Sequence, residues 1–550
     1  MKRRKRKNKG LKIAITTLFL ILLALGVMAF VMHINKETLS TKYIASFEYS
    51  IKIKDENEEE HIFVRGTQIA LSDKQKTIDD VEYFKFYYDD STFYTTDESI
   101  FVNNREDAVL EKELFVYRTC SVYEDESSSK INGLILKGEK IEVIGHSPLK
   151  DDGSVDRYQY KDGYLLSKYL TKDENEALSE SEYLKYHDVY AYDDTENVKL
   201  DFYENEKIVF EDNVMPDIVK AIYVNDAATY EMDDYIALAK EIGANTLVID
   251  IRDSHVVNLK AETMKEYTPS SYEAGKHTKE EFVSFINKCK ENNLYTVARI
   301  TVFKDPNYAN DHQDEAIIDL DTNGLFRYGG AFWPSAYSRE CWEYNVELAK
   351  ECISDIGFNE VQFDYVRFPE LVGYFNDVLG GIDLRNTYGE TRSEAIQRFL
   401  IYACDEIHKV HGYVSADVFG ETSNKYICDY GQYWPAISNV VDVISAMPYP
   451  DHFTGHEFNP NYYSWEVPYD TLYGWGKQAK ERQKDIPTPA KVRTWLQGYN
   501  SIKEPYVVYD CEKIIDQING LKNADIYDGF MIWNSLSDYE KFKSYKDAFK

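Results

Sequence analysis

The sequence predicts an α/β protein: a C-terminal (β/α)8 TIM barrel, preceded by small all-β domains that follow an N-terminal transmembrane helix. Three observations carry this prediction. After Val219, eight short apolar runs alternate with helix-like segments; residues 40–170 read as short strands broken by charged turns; and a charge-free run lies near the N-terminus. The length agrees, since 550 residues suit two or three domains rather than one.

The N-terminal run comes first. Residues 1–12 hold eight Lys/Arg and no acid, and Ile13 to Met32 is uncharged throughout. Twenty helical residues cover roughly 30 Å, the hydrocarbon thickness of a bilayer. The span 13–34 is therefore expected to anchor the chain in the cell membrane, with the basic tail cytoplasmic and the bulk extracytoplasmic. A cleaved signal peptide is the rival, but the run is long and lacks a small-x-small site at its end.

Charge narrows the partners. The formal net charge is −32, and without the eight basic residues of the tail, 55 Lys/Arg face 95 Asp/Glu, a net of −40. Such a surface repels phosphate backbones, which argues against nucleic acid as a partner. Apolar content of 43% argues against wholesale disorder. The seven cysteines, at 120, 289, 341, 352, 404, 428 and 511, form no CxxC pair. They read as small core hydrophobes rather than zinc ligands or a disulfide framework.

Residues 40–108 are expected to form a small β-rich domain, with alternation in "YFKFYYDDSTFYTT" (83–96). Residues 110–170 hold "VYRTCSVYEDESSSKINGLILKGEKIEVIG" and then "YKDGYLLSKYL". This stretch resembles the bacterial SH3-like domain, a small β-barrel of wall-associated proteins, which implies a cell-wall glycan as partner. The 40–108 stretch leaves open a second unit of that kind. Residues 171–215 are acidic and Tyr-rich and read as a connector.

From residue 216 to 550 the barrel strands are expected at 221–224, 246–251, 296–301, 360–364, 413–417, 443–447, 492–496 and 529–533. Thr278 with Glu281, and Thr391 with Glu394, have capping-box spacing before two of the helices. Gly243, Gly357 and Gly412 stand where helices end, each shortly before a strand. A doubly wound open sheet is the alternative, but no G-x-G-x-x-G follows the first strand.

A barrel keeps its site at the C-terminal ends of its strands. Polar residues concentrate there: Asp250, Arg252 and Asp253 on strand two, Arg299, Lys304 and Asp305 on strand three, Asp364, Tyr365 and Arg367 on strand four, Asp417 and Glu421 on strand five. In "VQFDYVRFPE" (361–370), Val361 and Phe363 share one face while Gln362 and Asp364 share the other. Strand five repeats the arrangement with Asp417. Two acids on neighbouring strands, ~4.8 Å apart in the sheet, suit glycosidic cleavage. One carboxyl protonates the leaving oxygen while the other attacks the anomeric carbon or activates water. Metal binding, ion pairing with arginine and helix capping are the competing uses of such acids. His255, His312 and His452 are scattered loop residues without metal spacing, and neither a metal nor a cofactor is expected.

The eight stretches "VKAIYVND", "NTLVIDIRD", "VARITVFKDP", "EVQFDYVRFPE", "GYVSADVFGETS", "DVISAMPYPDHF", "VRTWLQGYN" and "YDGFMIWN" occur in that order between Val219 and Phe542. Together they resemble the bacterial family described as a putative glycosyl hydrolase domain, a barrel group similar to the alpha-amylase clan. The resemblance implies Asp364 as nucleophile. The clan's acid/base is a Glu ending strand five; this chain has Asp417 there and Glu421 four residues on, so Asp417 stands first and Glu421 second. Two departures are visible: "NDAATYEMDD" after strand one lacks a Gly/Ser-rich loop, and 371–389 is an enlarged loop.

Asp250, Arg252, Arg299, Tyr365, Arg367, Tyr449, Trp495 and Trp533 are the expected substrate-binding residues, either as rings for CH–π contact with sugars or as partners of hydroxyls and of the nucleophile. The expected function is an extracytoplasmic glycoside hydrolase acting on a cell-envelope or extracellular polysaccharide. Two alternatives remain: a non-catalytic glycan-binding or scaffolding protein, and a metal-dependent esterase or deacetylase.

Overall fold

The computed structural model describes residues 16–18, 20–25, 37–189, 199–254 and 256–550. Among them, no helix is long and apolar enough to cross a membrane. The expected anchor at 13–34 lies mainly outside the described residues. The chain divides into two compact units, residues 1–115 with 140–172, and 116–139 with 173–550.

The first unit is antiparallel β structure. Leu39–Ile44, Gln68–Ile78, Val81–Tyr88, Ser91–Thr95 and Phe101–Val102 form one sheet, and Ser50–Lys54 pairs with Glu60–Val64 as a hairpin. Ile44, Phe63, Ile69, Phe86 and Phe93 are its core. Arg65 is buried against Glu111 at 2.7 Å. Of the stretch 110–170, Val116–Glu139 falls with the second unit. There its hairpin, Cys120–Tyr123 with Ile131–Ile135, borders two barrel helices: Ser129 accepts from Tyr402 at 2.7 Å, and Ile131 N–H donates to Glu343.

The second unit holds the barrel. Its strands are β1 (Val219–Val224), β2 (Thr246–Asp253), β3 (Tyr295–Thr301), β4 (Glu360–Asp364), β5 (Tyr413–Phe419), β6 (Val443–Met447), β7 (Lys491–Val492, resuming as Thr494–Gln497) and β8 (Gly529–Trp533). All pair in parallel in this order. The ring nearly closes through β7, which pairs with β6 before Arg493 and with β8 after it, while β8 pairs with β1. The strands are readable in sequence because a strand covered by helices outside and packed inside is apolar along its whole length.

Four of the covering helices are α1 (Met232–Ile242), α2 (Lys279–Glu291), α3 (Arg339–Glu351) and α4 (Arg392–Ile407). Both expected capping boxes are present, at Thr278/Glu281 before α2 and Thr391/Glu394 before α4. Gly243 and Gly357 end helical segments in the left-handed conformation. Gly412 does not: His411 takes that conformation, at φ 59°. Glycine at 412 answers a packing need, since a Cβ there would lie 2.6 Å from Ile353.

The connector also differs from its expected role. Its later part is strapped to the barrel: Lys199 and Asp201 N–H groups bond Glu394 and Gln397, and Asn213 bonds the carbonyls of Asn359 and His411 just before β4 and β5. Phe210 joins Val219, Tyr295 and Tyr413 in the barrel core. This end of the barrel is thereby filled.

Candidate active site

Register builds the site. Asp250 on β2 pairs with Arg299 on β3, Thr301 on β3 pairs with Asp364 on β4, and Phe363 pairs with Ala416 on β5. Asp364 and Asp417 are therefore the next residues along two adjacent strands. β4 ends at Asp364 as expected, whereas β5 runs two residues beyond Asp417, to Phe419.

Arg299 is the centre of the cluster. It is 2% exposed, and its two terminal nitrogens donate to Asp250 at 2.6 Å and to Asp364 at 2.5 Å. Asp253 lies 3.8 Å away. Burial disfavours the Arg299 cation, but the three carboxylates outweigh it and hold the guanidinium charged. Trp533 and Tyr223 present their rings at 5.1 and 5.7 Å. Asp250 also accepts the Tyr223 hydroxyl; burial, opposed by Arg299 and reinforced by Asp253, pushes it up to about 7.

The two candidate catalytic acids have unlike surroundings. Asp364 is 6% exposed, faces Arg299 with one oxygen and accepts its neighbour Tyr365 N–H at 2.6 Å with the other. Asp417 is 1% exposed, and its Oδ1 accepts the Trp495 indole N–H at 2.8 Å, while Oδ2 has no hydrogen-bond partner. Burial, and then the charge of Asp364, push Asp417 well above the usual carboxylate range, with Arg299 and the indole only partly opposing. One acid sits beside a cation and the other is buried against an indole. That arrangement favours a proton on Asp417.

The remaining candidates divide. Trp495, Trp533 and Tyr449 share the barrel core with Tyr223, and Tyr449 is buried. Tyr365 directly follows Asp364 at φ 50°, a strained backbone for a bulky residue, with Lys304 Nζ 4.5 Å from its ring centroid. Arg367 is held among rings, 4.5 Å from Phe419, 4.9 Å from Tyr365 and 5.4 Å from Trp333.

Two expected positions require correction. Arg252 does not share the inward face of Asp250. A bulge after Asp250 places two β2 residues opposite one of β3 and reverses the facing. The fully buried Arg252 guanidinium pairs instead with Asp305 at 2.6 Å and bonds Tyr344 and Asn345 of α3. Glu421 is also not grouped with Asp364. It stands in the turn Gly420–Ser423 and accepts the hydroxyls of Tyr426 and Tyr430, both at 3.0 Å. It lines a cleft of about 1510 Å³ between the loops after β4 and β5, a cleft that neither Asp364 nor Asp417 lines.

Sequence reasoning missed Tyr223, although alternation along β1 places it on the same face as Ala221. His255 lies outside the described residues. His312 bonds the Tyr267 carbonyl, and His452 packs edge-on to Tyr449. In the first unit a hairpin turn brings together Asp55, Glu59 and His61, a set with the ligand types for a cation. Asp55 already accepts the N–H groups of Asn57 and Glu59 and lies 3.3 Å from His61.

No curated protein matches the chain. A hypothetical protein from Ruminiclostridium thermocellum is similar at 25% identity, over 36% of this chain and 97% of that one, with a TM-score of 0.30. The PgaB (BpsB) glycoside hydrolase domain from Bordetella bronchiseptica is similar at 11% identity, over 60% and 99%, with a TM-score of 0.41. A Flavobacterium johnsoniae chitobiase is similar at 11% identity, over 60% and 47%, with a TM-score of 0.40. These TM-scores are low, and the likenesses carry no residue roles to this chain. The family model described as a putative glycosyl hydrolase domain matches residues 221–539, more than half of the sequence, and the chain belongs to that family.

Proposed function

We propose that this protein hydrolyses O-glycosidic bonds of a cell-envelope or extracellular polysaccharide, with Asp364 as nucleophile and Asp417 as acid/base. The observation that carries the reading is the unlike treatment of two acids on adjacent strands: Asp364 beside Arg299, Asp417 buried against the Trp495 indole with Oδ2 unpartnered. In the first step the Asp417 proton passes to the glycosidic oxygen as Asp364 attacks the anomeric carbon, and the alcohol departs. In the second, Asp417 takes a proton from water, whose oxygen attacks the same carbon and releases Asp364. Arg299 orients the nucleophile through its hydrogen bond to Asp364. Trp533 and Tyr365, both partly exposed, offer rings at the mouth.

Assaying Asp364→Asn against a panel of wall and capsular glycans tests this, and unchanged turnover would rule out the nucleophile role. A second reading, glycan retention without cleavage, draws on the small exposure of both acids. It predicts binding without released sugar, undiminished by loss of either aspartate. The basic tail and apolar run at 13–34 support a membrane anchor with the barrel outside the cytoplasm, and the 110–170 stretch supports a wall-glycan contact through an SH3-like module. Protease accessibility of the barrel on intact cells tests the orientation.

A further inference from the structure

The cleft lined by Glu421 is not used by the proposed chemistry. Six carboxylates line it, and five are ion-paired with arginine, as Asp377 and Asp429 are with Arg392. Among the described residues Glu421 has no cationic partner. It is exposed and held by the hydroxyls of Tyr426 and Tyr430, with oxygen lone pairs to spare. Apolar contact surface is also present: Tyr374 is 50% and Leu371 55% exposed on one side, and Phe419 stands on the other.

Two features tie this cleft to the mouth. Arg367 packs against Phe419 and Tyr430, which line the cleft, and also against Tyr365, which follows Asp364. The loop between them is strained at both ends, with Tyr365 at φ 50° and Leu371 at φ 61°. Bulky residues hold such a backbone only where the surroundings impose it, and such positions cluster at ligand sites.

We propose that this cleft is a binding subsite for a neutral oligosaccharide segment several sugars long, continuous with the chain that reaches Asp364 and Asp417. The size supports several sugars, because about 1510 Å³ exceeds the ~300–1,000 Å³ of common small-molecule pockets. The chemistry suits a sugar, whose ring faces are apolar and whose edges are hydroxyls. Rings and Leu371 meet the faces, and Glu421 accepts from hydroxyls. The charge balance selects neutral over anionic glycans: the lining arginine is already paired, and the one carboxylate without a cation repels an anion.

The inference rests on the proposed function for its ligand class, but its test does not require cleavage. Binding of glucose and N-acetylglucosamine hexasaccharides, the matching disaccharides and a hexuronate oligomer is measured calorimetrically on full-length Asp364→Asn protein. The same measurement is made after adding Glu421→Gln and Tyr374→Ala, with unchanged melting as the folding control. Losing a charge-assisted hydrogen bond and a ring contact should weaken a hexasaccharide about tenfold, while a disaccharide changes less than about twofold. Unaltered hexasaccharide affinity, equal binding of the hexuronate, or no binding by any oligosaccharide would overturn the inference. A tenfold loss in a protein whose wild type releases no sugar would refute the proposed hydrolysis and leave the subsite standing.

Discussion

Replacing Arg299 with methionine removes the one cation that serves both Asp250 and Asp364. Both carboxylates are nearly buried, at 3% and 6% exposure, and both lie within 2.6 Å of the guanidinium. Methionine preserves much of the apolar stem but leaves two buried acids without a counter-ion, and breaking a buried pair from one side costs about 3–5 kcal/mol. The cost has a pH signature. Asp250 titrates at about 7 in the folded protein against an ordinary value of 3.8, so its contribution is most favourable below the ordinary value and is lost as pH rises through 7. Without Arg299 it rises further, and each additional unit costs about 1.4 kcal/mol at alkaline pH. The deficit of Arg299→Met should therefore be larger at pH 8 than at pH 5. Urea unfolding followed by tryptophan fluorescence measures it for the barrel alone, because all seven tryptophans lie between positions 333 and 533. A deficit below about 1 kcal/mol, or one equal at the two pH values, would refute the reasoning.

Two further substitutions separate chemistry from scaffold. Trp495→Phe deletes the N–H that lowers the Asp417 pKa, so the acid should hold its proton to higher pH; the alkaline limb of the rate profile should move up, with a lower maximum from lost orientation. A limb that moves down or stays in place contradicts the acid role. Arg252→Met should destabilise the barrel by about 3–5 kcal/mol, because Asp305 is left buried and unpaired, while the folded fraction keeps its KM. A raised KM in folded Arg252→Met protein would return Arg252 to the substrate site.

The barrel was legible because buried parallel strands announce themselves as continuous apolar runs, and capping boxes mark two of the helix starts. Asp364 was legible for the converse reason: a carboxylate closing such a run has no place in a core unless a partner or a ligand meets it. Arg252 was not, because a single bulge after Asp250 reverses which side of β2 faces inward, and nothing in "VIDIRD" marks it. Glu421 was misplaced for a similar reason: β5 continues two residues past Asp417, so the turn carrying Glu421 starts beyond the rim and aims it into the neighbouring cleft. The strap at 199–213 was hidden by its composition. Its acidic, Tyr-rich sequence resembles a linker, yet its backbone bonds and Phe210 fix it to the barrel.

The most direct measurement is mass-spectrometric mapping of the protein after exposure to a 2-deoxy-2-fluoro glycoside carrying a good leaving group, which slows the second step and lets the glycosyl–enzyme accumulate. A fluorosugar ester on the Asp364 carboxylate, absent from Asp364→Asn and formed by a protein whose product retains its anomeric configuration, is the predicted result. A label on a different residue, or turnover of a cleaved glycan with inversion and no label, would contradict the account.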